Sequence, residues 1–331
     1  MAAAVWFPRA RCVELRTEQL AATGPNDVRV HAVLSAISHG TELLVYRGEV
    51  DPDLPLDLPT LAGGYGFPLK YGYASVGHIV ALGRDVPGLR EGDLVFALHP
   101  HQDEYVVAGS LVRRLPDGTT PEQGVFLANL ETAINVALDA KPRLGEVVAV
   151  FGQGVVGLLV TQLLRRSGAR VVAVEPSAVR RSFAERCGAE AAVAPGDEQV
   201  ITQLSGGRGA DIAIDASGNP AALQRAIDRV APEGTVVVCS WYGDKPVSLD
   251  LGGRFHRGRV RVISSQVGRV DPSLAPRWDR ERRLGLAMDL LSELDLAELI
   301  THRFAFARAA EAYSLLDTDA SNTVQVVLDY A

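Results

Sequence analysis

The chain is short of the residues that mark several protein classes. It has three cysteines in 331 residues, Cys12, Cys187 and Cys239, and none belongs to a C-x-x-C pair. Neither a disulfide framework nor a cysteine-built zinc lobe is expected, and a reducing, cytoplasmic setting is the natural reading. No apolar run approaches the ~20 residues that span a bilayer, so no membrane partner is expected. The start, Met1-Ala2-Ala3-Ala4-Val5-Trp6, lacks the basic residues and long apolar stretch of a signal peptide. Lysine and arginine form no dominant block, and the net charge is -7. Nucleic acid is not expected as a partner, because phosphate binding needs a basic stripe.

What is present reads as globular. Apolar residues make up 47% and charged residues 22%, and the length suits two domains better than one small core. Up to about residue 120 the chain holds short β-like runs. Val28 to Val33 alternates as a half-buried strand does, and Ser75 to Leu82, Leu94 to Leu98 and Tyr105 to Val107 follow. Asp51 to Pro68 is rich in proline and glycine, which predicts an irregular surface loop. Strands without intervening helices suggest a mostly antiparallel β-domain.

From residue 121 the pattern alternates. Pro121-Glu122-Gln123 reads as a helix start, and Gly124 to Ala140 has helical spacing. Strands are predicted at 147–151, 171–174, 211–214, 235–239 and 260–263, with helices at 155–167, 177–187 and 220–230. Apolar strands separated by helices predict a doubly wound parallel sheet covered on both faces. Beyond it the spacing predicts a helix over 277–293, another over 307–316 and a strand over 324–328.

The strongest motif is Gly152-Gln153-Gly154-Val155-Val156-Gly157, between an apolar strand and a helix. Gly152 permits the tight turn, Gly154 lets a pyrophosphate approach the backbone, and Gly157 lets the helix lie close to the strand. The helix N-terminus then offers N–H groups and a positive dipole end to the phosphates. Glu175 ends the next strand, 18 residues after Gly157. A carboxylate there accepts ribose hydroxyls and repels a 2′-phosphate, so NAD is expected over NADP. Arg180 and Arg181, a helical turn later, could soften that preference.

Several further stretches resemble the medium-chain dehydrogenase/reductase superfamily. Ile37-Ser38-His39-Gly40-Thr41-Glu42 resembles its Cys-Gly-Thr/Ser-Asp element, and Gly72-Tyr73-Ala74-Ser75-Val76-Gly77 its Gly-His-Glu-x-x-Gly element. Val86 to Val95 resembles the approach to its G-D-R-V strand, and Leu127 to Leu138, with Glu131, its E-P-x-A-x-A helix. Ile214 to Pro220 and Leu299 to Phe304 complete the set. The resemblance covers nearly the whole chain. It implies a Rossmann domain, 122–269, within a β-rich, GroES-like catalytic domain, 1–121 and 270–331, and an active site in the cleft between them. Ser38 to Glu42 and Phe67 to Tyr73 are similar to the bacteriochlorophyllide hydroxyethyl dehydrogenase branch.

In zinc-dependent members three protein ligands hold the metal. The resemblance puts His39 at the cysteine position, Tyr73 at the histidine position, Ala74 at the adjacent glutamate position and Glu131 at the third-ligand position. Tyrosine is a poor zinc ligand at neutral pH, so a zinc-free site is expected. A rearranged site of His39, Glu131 and His99 or His101 is the alternative.

Without zinc, a side chain must handle the substrate proton. Thr41 matches the family's proton-passing hydroxyl, His39 has a range suited to acid–base work, and Tyr73 could donate to a carbonyl oxygen. His101 and Glu131 are further candidates, and Glu42 matches a structural acid behind the site. His39 could equally just bond its loop, Tyr73 wall a pocket, His101 be an ordinary loop histidine and Glu131 serve helix packing. By resemblance Ala216, Ser217, Ser240, Trp241, Ser265, Gln266 and Val267 touch the cofactor, and Asn135 faces the nicotinamide. Trp241-Tyr242 could wall the nicotinamide or an aromatic substrate, or plug a domain interface.

The leading expectation is hydride transfer between NAD(H) and a small secondary alcohol or ketone without catalytic zinc. Open beside it are a cofactor-retaining epimerase or eliminase that oxidises transiently, a zinc enzyme with a rearranged site, and a non-catalytic dinucleotide binder of the zeta-crystallin sort. The resemblance also implies a homodimer through the sheet edge around Val260 to Ile263.

Overall fold

The computed structural model describes residues 1–56 and 58–331. They form two compact units, Met1–Ala128 with Met288–Ala331, and Asn129–Ala287.

The first unit opens with β1 (Ala2–Trp6) and β2 (Glu14–Glu18), an antiparallel pair. Then come β3 (Asp27–Ile37), α1 (Thr41–Arg47), β4 (Ser75–Leu82), β5 (Leu94–Ala97), β6 (Glu104–Ala108), β7 (Val112–Arg114) and α2 (Pro121–Gly124). Thr120 and Gln123 cap α2 reciprocally, the helix start that the sequence indicates. The Asp51–Pro68 loop has neither helix nor strand among its described residues; Asp57 lies outside them.

Helix α3 (Leu127–Ala140) leads into the second unit. There follow β8 (Val147–Phe151), α4 (Val155–Arg166), β9 (Arg170–Val174), α5 (Ala178–Arg186), β10 (Ala191–Val193), α6 (Gln199–Leu204), β11 (Ala210–Asp215), α7 (Pro220–Arg229), β12 (Val230–Val238), α8 (His256–Gly258), β13 (Arg261–Ser264) and α9 (Arg280–Leu290). Then β14 (Ile300–Ala305), α10 (Ala309–Thr318) and β15 (Gln325–Asp329) return to the first unit.

The second unit's sheet is all parallel, in the order β10-β9-β8-β11-β12-β13. Counted within the unit this is 3-2-1-4-5-6, the Rossmann order. Its central strand β8, Val-Val-Ala-Val-Phe, is buried at every position, which explains why it is apolar throughout and not alternating. Strand order reverses between β8 and β11, the switch point where ligands sit in such sheets.

In the first unit the order is β14-β15-β3-β4-β5-β7, with β6 also on β3. It is mixed, since β14 and β15 run parallel while the other pairs are antiparallel. A T-shaped cluster of Phe7, Tyr46 and Tyr313 packs α1 against α10 beside this sheet.

Some elements carry too little pattern to be read from sequence. β10 is three half-buried residues, and α1 is a single helical run of seven. Within the second compact unit, Asn129–Ala287, Arg283 on α9 is bonded to Glu131 on α3.

Candidate active site

The glycine turn is built as its residue types require. Gly152 has φ +92°, and a Cβ there would lie 2.7 Å from the Ser217 Cα. The loop after β11 can pass this close only because residue 152 has no side chain. A Cβ on Gly157 would lie 2.0 Å from the Gly152 carbonyl oxygen, so α4 could not approach β8 with any other residue there. Around Gly154 the space is open, and no side chain caps α4. The N–H groups at Val155, Val156 and Gly157 are thus left for an anion at a dipole end. A dinucleotide pyrophosphate fits this cradle.

The neighbouring side chains tighten it. Gln153 is fully buried; its amide donates to Val150 O and accepts from the Thr161 hydroxyl. Glu175, only 3% exposed, accepts from Gln153 N–H at 2.8 Å and from Ser177 N–H at 2.9 Å. It therefore holds the turn together, and it retains lone pairs for a ribose hydroxyl. Arg181 donates to the carbonyl oxygens of Glu175 and Pro176, which spends the cation that would favour a 2′-phosphate. Arg180 is half-buried on the first turn of α5.

Ala216, Ser217, Ser240 and Trp241 follow β11 and β12 at the carboxyl edge of the sheet. Buried Asp215 organises them. Its carboxylate accepts from Ser217 N–H, from Ser217 Oγ at 2.6 Å and from the Tyr242 hydroxyl. Ser240 Oγ accepts from Gly218 N–H and donates to Asp215 O. Tyr242 is thereby tied down, while Trp241 stays 38% exposed. Ser265, Gln266 and Val267 follow β13, and Asn135 on α3 donates to Ser265 Oγ at 3.2 Å.

In the first unit, Ser38, His39 and Gly40 form the turn from β3 into α1, and Thr41 opens α1. The Tyr73 hydroxyl lies within interaction range of the Ser38 and Thr41 side chains. Burial, with the nearby Glu42 carboxylate, pushes the Tyr73 phenol up to about 12, so it is a neutral donor at physiological pH. His39 is half-buried in the same turn. Three hydroxyl groups, Ser38, Thr41 and Tyr73, are thus neighbours at the start of α1.

Behind them lies a buried network that sequence spacing did not reveal. Glu42 Oε1 accepts from Ser38 N–H at 2.9 Å; Oε2 accepts from Tyr313 OH at 2.7 Å and bonds His101 Nε2 at 2.8 Å. His101 Nδ1 bonds Ser35 Oγ at 2.7 Å, and that oxygen also meets Tyr330 OH. His101 is completely buried with both ring nitrogens engaged. The structure therefore corrects its expected place against the substrate: it is a positioning residue that braces Glu42. Gly72 makes room for it, since a Cβ there would lie 2.8 Å from the imidazole. His99 stacks on Tyr105 at 3.8 Å and donates through Nδ1 to Pro100 O. Burial pushes His99 down to about 3, so it stays neutral.

These donors do not fit a catalytic zinc. The phenol at the histidine position keeps its proton, and Glu131 is taken by Arg283 at 2.6 Å. The rearranged set fares no better, because His101 is spent on Ser35 and Glu42. Among the described residues no group of three or more His, Cys, Asp or Glu could hold a metal. Sequence reasoning did not single out Arg283; with Ala287 and Leu290 it forms one buried stripe of α9, where an arginine needs a partner.

Comparison with known proteins agrees with this fold. Residues 155–280 match the family model described as zinc-binding dehydrogenase. D-guloside 3-dehydrogenase of Escherichia coli strain K12 is 30% identical over 311 residues, covering 87% of this chain and 88% of that protein. 2-Desacetyl-2-hydroxyethyl bacteriochlorophyllide A dehydrogenase of Cereibacter sphaeroides is 28% identical, covering 99% and 98%, so that branch is not singled out over the other. The crystal structure of 2R,3R-butanediol dehydrogenase from Bacillus subtilis superposes with a TM-score of 0.82 at 21% identity, covering both chains fully. A protein from Escherichia coli CFT073 described as a short chain alcohol dehydrogenase, solved with NADH, gives 0.80 at 19% identity, covering 99% of each chain. With the Rossmann strand order, the glycine turn and a relative matched along most of both chains, this protein belongs to the alcohol dehydrogenase-like, medium-chain family of oxidoreductases.

Proposed function

We propose that the protein is an NAD-dependent dehydrogenase that oxidises a secondary alcohol, or reduces the matching ketone, without catalytic zinc. The observation that carries this reading is the Ser38–Thr41–Tyr73 hydroxyl cluster, set where zinc-dependent relatives place metal ligands by resemblance. NAD, when bound, supplies the hydride acceptor. The open helix N-terminus at Gly154 would take its pyrophosphate, and Glu175 would receive a ribose hydroxyl. Ala216, Ser217, Ser240, Trp241, Ser265, Gln266 and Val267 line the sheet edge where the rest of the cofactor would lie.

Tyr73 would donate to the carbonyl oxygen of a ketone, or orient the hydroxyl of an alcohol. Thr41 would accept the alcohol proton and pass it on, with His39 as the acid–base group in the same turn. Glu42, held by His101 and Tyr313, fixes the backbone at Ser38 and so the geometry of the cluster. A relative named D-guloside 3-dehydrogenase supports a ring hydroxyl as the reacting group.

The test is NADH formation from a panel of secondary alcohols, including glycosides, by metal-free protein. Turnover that needs added zinc would refute the reading. A homodimer is proposed through β13, an edge strand with Val262 and Ile263 38% and 36% exposed. Light scattering on the wild type and on Val262→Lys tests it. No described helix is long and apolar enough to cross a membrane, and the three cysteines are free thiols, which suits a cytoplasmic setting.

A further inference from the structure

Among the described residues the bulkiest fully buried side chain is Arg283. A guanidinium cannot shed its proton in a protein, so this is a permanent buried charge. Its bonds are specific. Nε and Nη2 donate to Glu131 Oε1 at 3.2 and 2.6 Å, and Nη1 donates to Asn135 Oδ1 at 2.5 Å. Asn135 is fixed in turn, its amide donating to Asp139 at 2.9 Å and to Ser265 Oγ at 3.2 Å. Glu131, Asn135 and Asp139 are spaced four apart, one stripe along α3. Ser265 follows β13, so the stripe reaches the carboxyl edge of the parallel sheet, where ligands bind.

The pairing is one-sided. Among the described residues the hydrogen bonds of Glu131 all go to Arg283, and all fall on Oε1. Oε2 receives none, and the side chain remains 21% exposed. A cation placed on Oε2 would sit beside a guanidinium that cannot be neutralised, and like charges at that range repel strongly. A hydroxyl group would meet no such penalty.

We propose that Arg283 stands in for the metal as the fixed counter-charge of Glu131, which makes this carboxylate a hydroxyl acceptor for the alcohol substrate and not a metal ligand. Oε1 anchors the group and Oε2 receives a second hydroxyl of the substrate, not the one that Thr41 deprotonates. Arg283 touches no substrate; it is a positioning residue that acts through Glu131. The inference rests on the zinc-free reading above.

The test has two arms on purified full-length protein. In the first, zinc chloride is titrated against a chromogenic chelator. Wild type and Glu131→Gln are expected to behave alike, without one tight ion per chain. A tight zinc weakened about tenfold or more in Glu131→Gln, the loss expected for a removed ligand, overturns the proposal. A tight zinc indifferent to Glu131 overturns the zinc-free reading and leaves Glu131 a non-ligand.

In the second arm, NADH formation is followed for Glu131→Gln, Arg283→Lys, Arg283→Met and the double variant Glu131→Gln/Arg283→Met. Glu131→Gln should raise KM about tenfold, as for one lost charge-assisted hydrogen bond, with kcat changed much less. Arg283→Met should match it, Arg283→Lys should recover part of the loss, and the double variant should be no worse than either single one. If every variant lowers the melting temperature but leaves KM unchanged, Arg283 is only structural and the proposal fails, while the assigned function stands. If Arg283→Met does not fold, Glu131→Gln and Arg283→Lys decide the same question. If wild type turns over no alcohol, the assigned function fails and the zinc arm alone judges the ion pair.

Discussion

The glycine turn after β8 and the hydroxyl cluster at the start of α1 do comparable jobs by opposite means. The turn is made of backbone. Its three glycines are defined by what they lack, and its binding groups are N–H donors at a helix end. The cluster is made of side chains whose orientation depends on residues far away in sequence. Glu42 is held by Tyr313, 271 positions along the chain, and His101 by Ser35, 66 positions back. A backbone site tolerates little substitution but needs few partners; a side-chain site is adaptable but must be braced from behind.

The comparison can be broken at the turn first. Gly157→Ala puts a Cβ 2.0 Å from the Gly152 carbonyl oxygen. Overpacking of that kind costs about 3 kcal/mol, so NADH affinity, read by fluorescence titration, is expected to fall by about two orders of magnitude. An alanine variant that binds NADH normally would show that α4 has slack.

The next largest effect belongs to the cluster. Tyr73→Phe and Thr41→Ala should each lower kcat by about 100-fold, the usual scale of lost proton-transfer help. NADH affinity should not change, since neither residue belongs to the turn. Unchanged turnover in both variants would remove the cluster from the chemistry.

A smaller, pH-dependent effect belongs to buried His99, beside the cluster's bracing network in sequence but not part of it. His99 is held neutral, with its imidazole pushed down to about 3 from an ordinary value near 6.5. A depressed value means that stability is fully present above pH 6.5 and is lost as pH falls toward 3. Melting temperatures of the wild type and of His99→Phe should therefore converge as the pH is lowered from 7 to 4. Parallel curves would mean that His99 does not titrate alone on unfolding.

The smallest effect is specificity. Glu175→Ala removes the carboxylate that would repel a 2′-phosphate, and the NAD over NADP ratio should fall about tenfold, roughly 1.4 kcal/mol. Because Glu175 also holds Gln153 N–H, affinity for both cofactors should drop as well. A change in the ratio without a drop in affinity would separate the two roles.

The same contrast governs what could be read from the sequence. The Rossmann half was legible because β8 to β13 are apolar runs punctuated by helices, and because the glycines of the turn are required locally. In the site, Thr41 and Glu131 stood out only because they match positions of the family, and Tyr73 because it stands where relatives carry histidine. The partner of Glu131 did not stand out, since Arg283 lies 152 residues away among a run of charged residues that looks solvated. His101 was visible as a histidine, but its burial was not, because Ser35 and Glu42 meet it only through the folded sheet. Spacing reports what neighbours along the chain can do. It is silent about contacts that tertiary packing alone creates.

The placement of β15 bears on how the chain is made. This strand, residues 325–329, lies inside its sheet, between β14 and β3, with Val326, Val327 and Leu328 fully buried. The nucleotide-binding unit is one unbroken segment and can close on itself as it leaves the ribosome. The unit carrying Thr41 and Tyr73 must wait, with the 34–37 end of β3 unpaired on one side, until some 290 further residues have been synthesised, about half a minute at ~10 residues per second. A newborn chain is thus shaped to hold dinucleotide before it can act on anything, and that unpaired end of β3 is where a chaperone has most to protect.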